Sequence, residues 1–199
     1  MRKIREFNLR LPFKEIRRRA RQAADLNAMG LDDPKLQLLI EVVQRRLRPA
    51  VIFASFGPES RETAALAPIP GLAHTLGLAT LGPDIAPLIA ETRTENEQRG
   101  GLLELVAAVA LERAVQFVTG LLRDEVESER CELSPIQHLD EAEAVSAVLE
   151  RLGGGKIGLK LEAGRLSPEH STAFCLSWIA RKGRRRKSKT RASSGSRDR

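Results

Sequence analysis

The sequence predicts an α+β fold with an antiparallel sheet, and three observations carry that expectation. A short apolar run at residues 50–56 and further candidate strands at 74–81 and 171–178 are of strand type. The stretch from Leu102 to about Glu127 is apolar around most of a helical circumference, the pattern of a helix at the centre of a packed domain. Tight turns such as Ala163-Gly164 join strands locally, and local hairpins beside long helices favour antiparallel pairing.

Taken in order, Leu11-Pro12 opens a first helix expected to run to about Met29, where Gly30 can stop it. Asp33 as N-cap with Pro34 at the first helical position starts a second helix. Its Leu36, Leu39, Ile40, Val43 and Leu47 recur at helical spacing until Arg48-Pro49 ends it. The run Ala50–Phe56 reads as a strand closed by Gly57-Pro58, and a second strand over 74–81 closes at Gly82-Pro83. A helix from Pro83 to about Gln98 is expected to break at Gly100-Gly101, before the apolar spine.

Along that spine, Glu112, Gln116, Thr119 and Arg123 fall on one narrow polar stripe. Ser134-Pro135 marks a turn, placing His138 near the start of a helix from about Asp140 to Leu152. Residues 156–162 alternate, with Ile157, Leu159 and Leu161 on one face, and read as a strand. In the strand over 171–178, Phe174, Leu176 and Trp178 share a face.

A chain of 199 residues suits one domain, here 1–180 with a helical N-terminal part at about 10–48. Its formal charge of +7 divides unevenly: +7 over residues 1–23, −9 over 24–180 and +9 over 181–199. Residues 181–199 hold ten Lys or Arg and no large apolar side chain, and read as a disordered basic tail. Arg184, Arg185, Arg186 and Lys187 could meet a polyanion, but no aromatic residue stands among them for base stacking, so nucleic acid is not the expected partner. The Arg17-Arg18-Arg19 run reads as a solvated helix face.

Composition excludes several classes. Cys131, Cys175 and the histidines at 74, 138 and 170 are too scattered for a zinc or iron–sulfur spacing. The first residues lack the apolar stretch of a secretory signal, and the segment Leu102–Leu111 reads as too short and too charged to span a bilayer. The expectation is a cytoplasmic protein with reduced thiols. Gly153-Gly154-Gly155-Lys156 does not form a phosphate loop, since it follows a helix and Ile157 stands after the lysine. Those glycines are expected to cap the helix and turn the chain.

Glu104 and Glu112 on the spine lie about 80° apart around the helix. They are either partners of Arg113, Gln116 or the sheet edge, with one or both buried, or ligand contacts. Cys131 beside Arg130 would be a reactive thiol only if both were exposed.

One succession of residues is more specific. Ala79-Thr80-Leu81-Gly82-Pro83-Asp84-Ile85, the apolar spine, Leu133-Ser134-Pro135 with its following helix, Lys156–Leu161 and Leu166–Ser171 come in one order. Across roughly residues 10–180 this order resembles the activation domain of vitamin B12-dependent methionine synthase, particularly its small stand-alone versions. The resemblance implies a twisted antiparallel sheet with flanking helices and binding of S-adenosylmethionine (SAM). It also implies a partner, a cobalamin-binding methyltransferase of methionine biosynthesis, with a flavodoxin-type reductase supplying an electron. SAM then remethylates cofactor that has drifted to cob(II)alamin, and no catalytic residue in the strict sense is expected on this chain.

The family's SAM loop corresponds here to Glu132-Leu133-Ser134-Pro135-Ile136-Gln137-His138. Ser134 and Pro135 match, Glu132 stands where the family has arginine, and Ile136-Gln137-His138 replaces Gly-Tyr-Gly. The resemblance therefore implies ligand contacts from the Ser134–His138 backbone, from Gln137 or His138 side chains, and from Arg130 in place of the missing arginine. Two alternatives stand beside it: an interaction module of the same fold that has lost SAM, and a nucleic-acid binder acting through its basic tail.

Overall fold

A computed structural model describes residues 1–181. The elements in chain order are β1 (Arg2–Arg5), α1 (Phe13–Ala23), α2 (Asp33–Arg46), β2 (Ala50–Phe56), α3 (Arg61–Ala64), β3 (Ala73–Thr80), α4 (Ile85–Glu95) and α5 (Glu97–Ser128). They continue with β4 (Cys131–Leu133), β5 (Gln137–Leu139), α6 (Ala142–Leu152), β6 (Lys160–Glu162), β7 (Arg165–Ser167) and β8 (Ser171–Ala180). The architecture is α+β, as the sequence predicts: a six-stranded antiparallel sheet of order β1-β2-β3-β8-β4, with β5 also paired to β8, and a separate β6-β7 hairpin.

Alternation along the central strands divides the core into two layers. On one face Val51, Phe53, Phe174, Leu176 and Trp178 pack with α1, α2, α4 and α5. On the other, Ile52, Leu76, Leu78, Ala173 and Cys175 pack with Val145, Val148 and Leu152 of α6. Helix α5 is the spine, with Leu102, Leu103, Val106, Val109, Val115, Val118, Leu122 and Val126 all buried. By length and composition alone this helix could cross a membrane, contrary to the expectation drawn from its most apolar segment. Here its apolar sides are covered instead by the sheet and three neighbouring helices.

Several boundaries differ from the sequence reading. The first helix stops at Ala23 rather than near Met29, and a loop organised by the Asp25 carboxylate follows, accepting from the Asn27 and Ala28 amides. Asp32, not Asp33, caps α2 by accepting from the Lys35 amide. Gly100 and Gly101 lie inside α5, and the break falls at Asn96, whose side chain caps α5 through the Arg99 amide. Gly100 is required by contact: a Cβ there would stand 2.7 Å from the Arg93 Cβ of α4. Only Lys160–Glu162 of the expected 156–162 strand pairs, because residues 154–157 tighten into a 3₁₀ turn after the left-handed cap at Gly153.

The Arg17–Arg19 run is not one solvated face. Arg19 donates to both Glu112 oxygens at 2.7 Å and to Glu15, tying α1 to α5. Hydrogen bonding from Arg113, reinforced by Arg19, holds the Glu15 carboxyl below its usual range.

Two consequences can be measured. Gly77 of β3 faces Phe174 of β8, and a Cβ there would come within 2.2 Å of the ring. Gly77→Ala is expected to destabilise the protein by about 1–3 kcal/mol in urea unfolding, since the fully buried ring would have to shift within the packed core. His74 is buried against Thr63, with its Nε2 2.8 Å from the hydroxyl and Phe56 stacked on the ring. Burial lowers its pKa below the ordinary 6.5, with Glu59 opposing. The unfolded histidine takes a proton near pH 6.5 while the folded one stays neutral. Its contribution is therefore complete above that pH and is lost as pH falls from there through the folded pKa. His74→Gln should flatten the acid side of the stability–pH curve; an unchanged curve would contradict this assignment.

Candidate functional site: a groove between α5 and the β4–β5 loop

The chain leaves α5 through Arg130, whose φ of 54° is a left-handed conformation, and turns into β4. Leu133 pairs with Trp178, while pairing resumes at Gln137 opposite Cys175. Residues 134–136 thus face only Leu176 and Ser177 of β8, and the extra residue makes the chain bulge. Pro135 has no amide to contribute to a ladder.

Ser134 pins the bulge. Its amide donates to the Ser177 carbonyl at 2.9 Å, and its hydroxyl oxygen accepts from the Ser177 amide at 2.9 Å. The same hydroxyl donates to the Pro135 carbonyl. Ser177 in turn donates its hydroxyl to the Ile69 carbonyl, binding the β3 approach to the same point. Ser134 is buried and fully engaged, so its role is to hold the loop.

Above this loop lies a groove of about 390 Å³. Helix α5 contributes Thr119, Arg123, Val126 and Glu127; the strand and loop contribute Glu132, Leu133, Ser134, Pro135 and Ile136; Arg181 closes one end. Val126, Leu133, Pro135 and Ile136 give an apolar wall, while two guanidinium and two carboxylate groups supply charge of both signs. Arg181 lies 3.6 Å from Glu127, and its amide donates to the Arg130 carbonyl. A concavity of about 720 Å³ elsewhere is formed by the single stretch Arg21–Asn27, so no second element converges on it.

The structure brings together only part of the residue set expected from sequence. Glu132, Ser134, Pro135 and Ile136 line the groove, whereas Arg130, Gln137 and His138 do not. His138 is not in a turn before a helix. It belongs to β5, with its Nδ1 3.0 Å from the Thr172 hydroxyl. Glu104 and Glu112 are also elsewhere, and neither is buried, their side chains being 48% and 41% exposed. Glu104 meets His170 at 3.0 Å and Arg93 at 3.8 Å; Glu112 meets Arg19 rather than Arg113, Gln116 or the sheet edge. Cys131 is buried, so the exposure that a reactive thiol needs is missing.

Sequence reading missed Arg123, Glu127 and Arg181 as groove residues. Thr119 and Arg123 were visible as members of the polar stripe on α5, and this C-terminal half of the stripe lines the groove. Arg181 gave no signal, because in the sequence it merges with the basic run read as a tail; the rest of that run, 182–199, lies outside the described residues.

No protein-family model and no curated protein sequence matches this chain. Its fold is similar to that of the MetH reactivation domain bound to AdoHcy, with a TM-score of 0.54 at 10% sequence identity. The match covers 91% of this chain and 79% of that one. The likeness establishes a shared fold.

The pinning role of Ser134 is open to direct measurement. Ser134→Ala leaves the buried Ser177 amide without its acceptor and should cost about 1–3 kcal/mol. Hydrogen exchange at the Ser177 amide should accelerate; stability and exchange both unchanged would mean that the loop is held by other contacts.

Proposed function

We propose that this protein is an accessory factor of the reactivation-domain type, which binds SAM in the α5/β4–β5 groove and presents it to a cobalamin-dependent methyltransferase. The observation that carries the reading is positional. Within a fold similar to a domain that holds AdoHcy, a groove opens beside Glu132–Ile136, the segment that resembles the SAM loop of that family. Its volume of about 390 Å³ falls in the range of small-molecule sites.

The groove's chemistry suits a nucleoside joined to an amino acid. Val126, Leu133, Pro135 and Ile136 offer apolar area to the adenosine, and Thr119, whose hydroxyl donates to the Gln116 carbonyl, offers its oxygen as an acceptor. Arg123, Glu127, Glu132 and Arg181 offer charge to the polar end. This chain contributes binding and orientation. The methyl acceptor would be the corrinoid of the partner, with a flavodoxin-type reductase as electron source.

A second reading rests on Ile136. Its side chain stands where the resembled loop has glycine, and it packs on the core beneath. In that reading the fold caps or assembles a corrinoid protein without binding SAM. Calorimetric titration with SAM, with and without a cobalamin methyltransferase, separates the two. The first reading expects saturable binding that Thr119→Trp abolishes by filling the groove. Co-purification with the corrinoid protein, without SAM binding at millimolar concentration, supports the second; neither result would remove both.

A further inference from the structure

We propose that Arg123 and Glu132 form a divided zwitterion clamp, with Arg123 meeting the α-carboxylate and Glu132 the α-ammonium group of the ligand's amino-acid end. The inference rests on the ligand reading above. Four charged residues line the groove, and two of them, Glu127 and Arg181, are already paired. Arg123 and Glu132 have no ion-pair partner among the described residues, and they do not pair with each other. One comes from α5 and the other from β4, so the groove offers one uncommitted positive and one uncommitted negative charge from two different elements.

A single carboxylate or a single cation would satisfy half of this arrangement and leave an opposite charge facing it. A zwitterion satisfies both halves. A guanidinium recognises a carboxylate through paired N–H donors, whereas a carboxylate accepts from an ammonium group. Where the resembled loop carries arginine, this chain carries Glu132. The loop supplies the anion and the helix the cation. Glu132 thereby becomes a specificity residue for a cationic amine instead of a misplaced charge.

Charge reversal provides the test, with SAM as the probe and the full chain as the protein. Arg123→Glu and Glu132→Arg should each weaken binding about tenfold. The double variant should recover to within about threefold of the wild-type protein, because the zwitterion can bind in the opposite sense. Both positions are exposed, so thermal melting should stay close to wild type. Wild-type binding of SAM with all three variants binding equally well would overturn the clamp while leaving the ligand reading in place. Additive losses in the double variant would also overturn it. No SAM binding by the wild-type protein removes the ligand reading, and the clamp with it.

Discussion

Burying a 32-residue helix whose apolar side chains extend around most of its circumference demands cover on several sides, and α5 imposes that demand on the rest of the fold. The sheet covers one side through Phe53, Phe174 and Leu176, while α1, α2 and α4 supply the others. Gly77 lets the Phe174 ring lie flat across β3, and Gly100 lets α4 approach α5 at van der Waals distance. The Arg19–Glu112 and Arg113–Glu15 pairs, from Glu112 of the polar stripe and its neighbour Arg113, orient α1 on the spine. Such partly exposed pairs add little stability individually. Their contribution is register.

The groove follows from the same constraint. Toward its C-terminal end α5 passes the sheet edge formed by β4 and β5, where short strands cannot cover it completely. Thr119 and Arg123 remain accessible there, and the bulged loop at 134–136 supplies the facing wall. Because Ser134 and Ser177 exchange hydrogen bonds across the interruption, the wall is fixed to β8, one of the best-buried strands. A binding surface made of a rigid helix and a pinned loop pays little ordering entropy on ligand capture.

Much of the fold was legible in the sequence because burial leaves periodic traces. Strand β2 is a nearly continuous apolar run, β3 and β8 keep apolar residues through their centres between turn signals, and the spine is apolar on nearly all sides. Strand β1 left no such trace: Arg2–Arg5 is a charged edge strand, held by backbone pairing to β2. Strands β4 and β5 are each three residues long, below the length at which alternation can be read. The Gly100-Gly101 pair misled because helix propensity weighs less than the close α4–α5 contact that needs a glycine. For the site, the order of residues drew attention to Glu132–Ile136, but no local pattern could place Arg123 or Arg181 opposite them. Those neighbours are 9 and 49 residues away from Glu132 in the chain, and only tertiary packing joins them.

The central claim is that a ligand of the SAM type occupies the space between α5 and the β4–β5 loop. A crystal structure of the protein grown with AdoHcy tests it most directly. Ligand density is expected in the groove, with its apolar end against Pro135 and Ile136 and its charged end beside Arg123 and Glu132. Density on another face of the molecule, or an empty groove at millimolar ligand in a lattice that leaves it open, would contradict it.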